Sequence, residues 1–177
     1  MKDSKVYIIV AVEKSFGIGK DGKMPWDLKS DMKHFRNVTV KTEDQKRKNA
    51  VIMGSTTWNS LPEKFRPLPN RINVILTRRQ EFEIGNGEVI VKNSLEEAVN
   101  ALKEKEAVEN IFIIGGASIY KQSVEMSELE GVYITKIENS YDCDTFFPQI
   151  PDGFKKEILL GEDEEDGIKI KFYLYEK

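Results

Sequence analysis

A single carboxylate lies on an otherwise apolar face of a helix that the sequence predicts over residues 28–37. Residues spaced at i, i+3, i+4 and i+7 lie on one side of a helix. This is the spacing of Leu28, Asp31, Met32 and Phe35. Asp is almost never fully buried without a partner, and an unpaired buried charge is costly. This face therefore either lines a pocket in which Asp31 meets a cationic or hydrogen-bonding ligand, or opens to water at that point.

A simpler explanation is that Asp31 only favours the dipole of the first helical turns, with Asp27 as the N-cap. The helix pattern alone favours this simpler explanation. The rest of the sequence reverses the choice, because it supplies the other parts of a binding site.

Glycines, hydroxyls and arginines follow four of the predicted strands. Glycines and hydroxyls at strand ends let backbone N–H groups face phosphates, and arginines add positive charge. In open α/β sheets, ligands bind beyond the carboxyl ends of the strands. The pattern predicts a nucleotide cofactor along one edge of the sheet. The four segments are Ala11-Val12 leading to Gly17, Gly54-Ser55-Thr56-Thr57, Thr77-Arg78-Arg79 and Gly115-Gly116-Ala117-Ser118.

The segment from Gly17 to Gly22 matches the G-x-G-x-x-G pattern of dinucleotide-binding folds and follows a strand. That pattern also requires a helix to begin there. Pro25 and its effect on Met24 argue against a helix. We therefore expect a mobile, glycine-hinged loop over residues 17–23 and not a dinucleotide-binding turn.

Apolar runs that alternate with helical patterns position these groups. The sequence predicts strands at residues 5–12, 49–54, 72–77, 88–91, 111–114 and 131–137, and helices at 28–37, after a capping box at 94–97, and from Ser118. Residues 156–160 and 168–175 flank an acidic turn, 162–167, as an antiparallel pair. Loops are expected at 39–48 and 62–70. Together these predict one α/β domain over residues 1–177, with a mostly parallel central sheet, an antiparallel C-terminal edge and helices on both faces.

Composition excludes several classes of function. The net charge of -3 gives no basic footprint for nucleic acid, and no apolar run is long enough to span a membrane. One cysteine, Cys143, excludes an internal disulfide and fits a reducing cytosol. The sole histidine, His34, is expected at the helix surface, so that serine-hydrolase and metal sites lack bases and ligands. We predict no metal.

A dozen short motifs, in order and correctly spaced over nearly the whole chain, resemble the dihydrofolate reductase family. They are Ile9-Val10-Ala11-Val12, Gly17-Ile18-Gly19, Met24-Pro25-Trp26, Asp31 to Phe35, Val51-Ile52-Met53-Gly54, Thr57-Trp58, Arg66-Pro67-Leu68, Arg71, Ile114-Gly115-Gly116 with Tyr120, Thr135, Asp144-Thr145-Phe146-Phe147-Pro148 and Tyr175-Glu176-Lys177. The resemblance implies reduction of 7,8-dihydrofolate to tetrahydrofolate, with hydride transfer from NADPH to C6 and protonation of N5. It places the chain in one-carbon metabolism, serving thymidylate and purine synthesis.

The resemblance also implies residue roles around the pterin. Asp31 would bind the ring, Thr135 would hold Asp31, Trp26 would anchor a water, and Met24 with the loop 17–23 would close over the nicotinamide. Asp31 in an apolar pocket should have a raised pKa. The implied substrate-binding residues are Ile9, Asp31, Met32, Phe35, Ser60, Leu61, Leu68, Arg71, Ile114 and Thr135, with Arg71 on the α-carboxylate of the glutamate tail.

The implied cofactor contacts follow the same strand ends. They are Ala11, Ile18, Gly19, Gly22, Lys23, Met24, Gly54, Ser55, Thr56, Thr57, Leu76, Thr77, Arg78, Arg79, Ile114, Gly115, Gly116, Ala117, Ser118, Ile119 and Tyr120. In the family the Gly115–Gly116 bond is cis. Relatives often have basic residues where this chain has Ser55 and Thr56, which leaves Arg78, with Arg79, to select NADPH over NADH.

The predicted protein is a cytoplasmic monomer, inhibited by antifolates whose protonated diaminopyrimidine pairs with Asp31. Two alternatives stay open from the sequence. One is a related pteridine or pyrimidine reductase, such as that of riboflavin synthesis, against which Trp26, Asp31 and Arg71 argue. The other is a nucleotide-binding module without turnover, which the Asp31→Asn substitution would distinguish.

Overall fold

A computed structural model describes residues 3–82 and 87–177 of the chain. The strands are β1 Lys5–Val12, β2 Gly17–Gly19, β3 Lys48–Gly54, β4 Ile72–Leu76, β5 Val89–Lys92, β6 Val108–Gly115, β7 Leu129–Ile137, β8 Thr145–Phe146, β9 Lys156–Glu165 and β10 Ile168–Glu176. The helices are α1 Lys29–Val40, α2 Ser55–Ser60, α3 Leu95–Lys103 and α4 Ala117–Ser123, with a 3-10 turn at Glu63–Phe65.

Eight of the strands in the described part form one sheet, in the order β5-β4-β3-β6-β1-β7-β10-β9. The strands from β5 to β7 pair in parallel, and β10 pairs antiparallel with both β7 and β9. This arrangement confirms the predicted parallel sheet with an antiparallel C-terminal edge. It also brings the carboxyl ends of β1, β3, β4 and β6 to one edge.

Helices pack on both faces because side chains alternate along each strand. In β1, Ile8 and Val10 join a core beneath α3 and α4, whereas Ile9 faces a second core that includes Phe35 of α1 and Trp58 of α2. A third apolar cluster joins Trp26 to β10. None of the helices in the described ranges is long and apolar enough to cross a membrane.

Helix α1 differs from the prediction at both ends. It begins at Lys29, after an N-cap at Leu28 that has no side-chain hydrogen bond, so the expected cap at Asp27 is wrong. It continues to Val40, into the predicted loop, and the Lys41 N–H donates to the carbonyl of Asn37 at 3.2 Å at its end. The connection to β3 is therefore only residues 41–47.

The sequence did not predict helix α2 or strands β2 and β8, and it placed the acidic turn too early in the chain. Helix α2 is only one and a half turns long, and β2 and β8 pair with each other across a long stretch of chain. The acidic residues predicted to form a turn mostly extend β9, whose solvent-facing positions tolerate charge. The turn itself is Asp166 and Gly167, which both have positive φ, as a two-residue hairpin turn requires.

The capping box that begins α3 is half confirmed. Ser94 accepts a hydrogen bond from the backbone N–H of Glu97 at 3.2 Å. The Glu97 carboxylate does not accept a hydrogen bond from the backbone N–H of Ser94, as a full capping box requires. It accepts from the backbone of Asn93 at 3.2 Å and pairs with Lys92 at 3.1 Å.

Candidate active site

Asp31 lies in the first turn of α1 with only 6% of its surface exposed, which excludes the role of a solvated helix-end charge. The hydroxyl of Thr135, on the central strand β7, hydrogen-bonds its carboxylate. Thr135 is itself buried and pairs across the sheet with Ala11 of β1 and Phe172 of β10. The pairing fixes the hydroxyl in place on the sheet beneath the helix.

Burial raises the pKa of Asp31 to about 6. The Thr135 hydrogen bond opposes this shift because it stabilises the charged form, and the negative charge of Glu165 adds to it. A carboxyl group that titrates near neutrality in an enclosed site can hold either a proton or a cationic ring.

Trp26 is buried beside Asp31's helix with its ring 5.3 Å from that of Tyr141. Its indole Nε1 has no hydrogen-bond partner among the described residues. A buried donor of this kind is expected to meet a water or a ligand atom. Ala11, a predicted cofactor contact, packs in the same cluster.

The predicted walls of the substrate pocket are mostly brought together by the structure. One apolar cluster contains Ile9, Phe35, Leu61, Leu68 and Ile114. Met32 is separate from it, with 45% of its surface exposed, and Ser60 is exposed at the end of α2, where its hydroxyl donates to the carbonyl of Thr57.

Arg71 lies at the margin of this cluster and is held by neutral groups. Its Nε donates to the carbonyl of Pro69 at 2.9 Å and one terminal nitrogen to Thr39 Oγ1 at 3.0 Å, while the guanidinium lies 5.8 Å from the centre of the Phe35 ring. Burial, with a contribution from Arg36, lowers its pKa to about 10, so it stays protonated at neutral pH. Within residues 3–82 and 87–177 it has no carboxylate partner, which leaves a fixed cation suited to a carboxylate ligand.

The predicted cofactor edge is built from strand ends in register. Met53 is level with Gly115, and Gly54 with Leu76. Thr77 follows β4 directly and donates its N–H to the carbonyl of Lys92 at 3.0 Å, which ties the ends of β4 and β5 together.

Glycine is required at the end of β6. The Gly115–Gly116 bond is cis, and Gly115 has a φ of 132°, which side chains rarely adopt. A Cβ on Gly115 would lie 3.2 Å from the hydroxyl of Thr57, and one on Gly116 3.4 Å from it. The backbone at Gly115 is thus packed closely against Thr57 of α2, and α4 begins at Ala117 immediately after Gly116.

Tyr120 anchors α4 to the centre of the sheet. Its hydroxyl donates to the carbonyl of Ile9 at 2.9 Å, and its ring packs edge-on against Phe147. Burial raises its pKa far above the usual range for tyrosine. Of the other predicted cofactor residues on α4, Ser118 is exposed, while Ala117 and Ile119 are half-buried.

The segment predicted as a mobile loop contains ordered structure. Strand β2 pairs with β8, and residues Lys20 to Lys23 close a turn in which Asp21 and Gly22 have positive φ. No helix follows, which confirms that G-x-G-x-x-G is not a dinucleotide-binding turn here. The turn lies beside the cofactor edge, since a Cβ on Gly22 would be 4.0 Å from Thr56.

Gly17 is needed for packing. A Cβ there would come within 2.5 Å of Cys143 Sγ and 2.9 Å of Glu13 Oε1. Glu13 is buried and accepts the backbone N–H groups of Ser15 and Gly17 at 2.7 and 2.8 Å, which holds the start of β2.

Ile18 is half-buried and Gly19 is buried in β2, whereas four other predicted contacts are at the surface. Met24 is 51% exposed, and Lys23, Arg78 and Arg79 are also exposed. His34 corrects the prediction of a surface histidine. It is half-buried and stacks on Phe172 with ring centres 4.1 Å apart, and burial lowers its pKa.

One residue at the site was not predicted. Glu165, at the end of β9, accepts hydrogen bonds from the backbone of Lys29 and Ser30 at the beginning of α1. The sequence offers no signal for this contact beyond a run of acidic residues, any of which could have faced solvent.

Comparisons with known proteins agree with this geometry. A family model described as dihydrofolate reductase matches residues 5–177. Dihydrofolate reductase of Drosophila melanogaster is 43% identical over 176 residues, covering 96% of each chain, and that of Aedes albopictus is 39% identical over 181 residues. Bifunctional dihydrofolate reductase-thymidylate synthase 2 of Arabidopsis thaliana is 42% identical over 151 residues, which cover only 27% of that protein. A solved structure of Schistosoma mansoni dihydrofolate reductase superposes with a TM-score of 0.85 at 36% identity and covers 99% of both chains.

Proposed function

The chain belongs to the dihydrofolate reductase family and reduces dihydrofolate, and from this premise we propose that NADPH is its reductant and that Asp31 is the ionisable group that binds the pterin. Family membership removes both alternatives left open by the sequence, the riboflavin-type reductase and the module without turnover. The observation that carries the proposed role of Asp31 is a buried carboxyl group, held by Thr135, whose pKa is raised to about 6.

Asp31 binds the pterin through both carboxylate oxygens, one to the exocyclic amino group and one to N3. Because these oxygens are engaged at that edge of the ring, Asp31 cannot also reach N5. The proton for N5 therefore arrives through water. The buried Nε1–H of Trp26, which has no partner in the described part of the chain, is placed to hold that water.

Thr135 fixes the orientation of Asp31 and accepts a hydrogen bond from the pterin amino group. The apolar cluster of Ile9, Phe35, Leu61, Leu68 and Ile114 encloses the pterin and the aminobenzoyl ring. Met32 and Ser60 contact the substrate at the open rim of that pocket. Exclusion of bulk water strengthens the interaction between Asp31 and the ring.

Arg71 binds the α-carboxylate of the glutamate tail. Its guanidinium is held by Pro69 and Thr39, so little side-chain entropy is lost when a carboxylate binds. The bidentate geometry of Arg suits this task, whereas Lys offers only a point charge.

The cofactor lies along the strand ends from β1 to β4, where Gly54, Gly115 and Gly116 leave room for a close approach. When bound, NADPH supplies the hydride that is added to C6. Arg78, with Arg79, attracts the 2′-phosphate, since both are exposed cations and the nearby Ser55 and Thr56 carry no charge. Met24 and the turn over residues 20–23 cover the nicotinamide. The remaining contacts are those expected from the family, on β1, β2, α2, β4 and α4.

We further propose that the protein acts as a monomer in the cytoplasm and binds antifolates through the same carboxylate. A protonated diaminopyrimidine presents two donors to Asp31 in place of the pterin. The ion pair it forms is enclosed and therefore less screened than a surface pair.

The test is the loss of NADPH absorbance when dihydrofolate is added to the purified protein, with NADH measured in parallel and methotrexate as inhibitor. We expect rapid, methotrexate-sensitive oxidation of NADPH and slower oxidation of NADH. Equal rates with both cofactors would contradict the role of the arginines, and oxidation of NADH alone would contradict the proposed cofactor. Light scattering during gel filtration measures the molecular mass, and a monomer should have a mass of 20.3 kDa.

A further inference from the structure

Helix α1 has no cap from its own segment. Its N-cap residue, Leu28, has no side chain that can accept a hydrogen bond, and the first intrahelical bond runs from Met32 N–H to the Leu28 carbonyl at 3.1 Å. The free N–H groups of the first turn therefore need acceptors from elsewhere.

Glu165 supplies two of them. Its Oε2 accepts from Lys29 N–H and its Oε1 from Ser30 N–H, each at 2.9 Å, and the two partners are 136 and 135 residues away in the chain. The residue that follows in the helix is Asp31. The carboxylate of Glu165 therefore fixes the backbone of the two residues directly before Asp31.

The position of Glu165 is set by the hairpin that carries it. Glu165 is the last residue of β9 and pairs with Ile168 across the Asp166–Gly167 turn. Ile168 packs in the apolar cluster that contains Trp26 and Leu28. The same cluster thus holds the hairpin, the indole of the site and the residue at which α1 begins.

Three elements present polar groups to Asp31. Thr135 of β7 donates a hydrogen bond, Glu165 of β9 is a nearby negative charge, and Tyr120 of α4 is a buried neutral phenol. The two backbone N–H bonds lower the pKa of Glu165, so it remains charged while Asp31 titrates. A fixed anion at this place also offsets the positive end of the helix dipole, which would otherwise favour the ionised form of Asp31.

We propose that Glu165 is a positioning residue for the reductase reaction, which acts through α1 to hold Asp31 in place and to keep its carboxyl group easier to protonate. Both oxygens of its carboxylate are engaged by the backbone of α1, so its effect on the reaction is indirect. The inference rests on the proposed role of Asp31 for its catalytic meaning, but the effect on Asp31 itself does not depend on turnover.

The test compares Glu165→Gln with Glu165→Asp, and uses Glu164→Gln as the matched control. Gln keeps the size and one acceptor but removes the charge, whereas Asp keeps the charge on a shorter side chain. Glu164 is the adjacent exposed carboxylate on the same hairpin, and it forms no hydrogen bond to α1 in the described residues. The pKa of Asp31 is followed by carboxyl carbon NMR in the protein without substrate, and the pH profile of kcat/KM is recorded with dihydrofolate and NADPH.

In Glu165→Gln we expect the pKa of Asp31 to fall by about half a unit, and the acidic midpoint of the kcat/KM profile to move by the same amount. Exchange of the Lys29 and Ser30 amide protons should accelerate about tenfold. Glu165→Asp should keep the pKa near its original value while amide exchange increases. Glu164→Gln should change none of these.

An unchanged Asp31 pKa and pH profile in Glu165→Gln would overturn the proposal, even if amide exchange accelerates, because Glu165 would then be only a structural cap. An equal shift of the Asp31 pKa in Glu164→Gln would also overturn the proposal, since the shift would then come from the net charge of the hairpin and not from the contact between Glu165 and α1. If Asp31→Asn retained full turnover, the proposed function of Asp31 would fail, whereas the NMR shift in Glu165→Gln would still stand.

Discussion

At the proposed pterin end of the site, buried side chains from distant parts of the chain meet each other, whereas the proposed cofactor edge is formed by the ends of neighbouring parallel strands. Asp31 and Thr135 are both nearly inaccessible to solvent, and each needs the other. Arg78 and Arg79 are exposed, and the glycines at the ends of β3 and β6 carry no charge. We therefore expect substitutions at the pterin end to impair chemistry and those at the cofactor edge to alter selectivity.

The strongest test of this contrast is Asp31→Asn. The amide keeps the shape but cannot take a negative charge, so kcat/KM for dihydrofolate near neutral pH should fall at least about 100-fold. The affinity for NADPH, measured by fluorescence titration, should change little. Asp27→Asn is the control, since Asp27 is an exposed carboxylate that precedes the same helix. Unchanged turnover in Asp31→Asn would place the chemistry elsewhere.

Asp31→Asn, which should lower activity, should raise the free energy of unfolding. The raised pKa of Asp31 means that the folded chain holds this proton more tightly than the unfolded chain does, between the ordinary aspartate pKa of 3.8 and about 6. Stability is therefore lost as the pH rises through that window. Relative to the parent protein, Asp31→Asn should gain about 2 kcal/mol in the free energy of unfolding between pH 4 and pH 7. Urea unfolding at both pH values measures this, and a gain independent of pH would contradict it.

Arg71→Gln separates binding from chemistry within the pterin end. Loss of a charge-assisted, bidentate contact should raise KM for dihydrofolate about 10- to 100-fold and leave kcat nearly unchanged. A dihydropterin that lacks the aminobenzoyl-glutamate tail is the control substrate. If its KM rose equally, Arg71 would act by supporting Thr39 and Pro69 and not by binding the tail.

The smallest effect is expected at the cofactor edge. Arg78→Gln should reduce the preference for NADPH over NADH, as a ratio of kcat/KM values, by about 3- to 10-fold, because an exposed charge is screened. Arg79→Gln tests the second arginine, and Lys155→Gln controls for the loss of one positive surface charge. If Arg78→Gln lowered kcat by a larger factor than it lowered the preference for NADPH, the proposed difference between the two ends would be wrong.

The sequence predicted local features well. The β1 bounds were correct, and the carboxyl ends of β1, β3, β4 and β6 lie at one edge of the sheet as predicted, because each strand signal lies within a few consecutive residues. The binding of a cofactor at this edge stays a prediction. The predicted face of α1 was only partly correct, since Asp31 is buried but Met32 is 45% exposed and Leu28 precedes the helix. The helix pattern by itself did not decide the burial of Asp31.

Features that depend on distant pairing could not be predicted from local patterns. The pairing of β2 with β8 turns an expected loop into a strand, and nothing in Gly17–Gly19 favours a strand by itself. His34 was expected in solvent because its partner, Phe172, comes from the last strand. The Glu165 contact with α1 belongs to the same class.

The separation between α1 and its cap also has a consequence for protein synthesis. The beginning of helix α1 is synthesised about 135 residues before Glu165. At about 5–20 residues per second, this delay is roughly 7 to 27 seconds. During that interval the first two N–H groups of the helix lack the Glu165 carboxylate as acceptor, and Trp26 lacks the β10 residues against which it packs. A nascent chain therefore completes its proposed folate pocket only after Glu165 and β10 have been synthesised, and a labelled antifolate would distinguish chains that contain β10 from shorter ones.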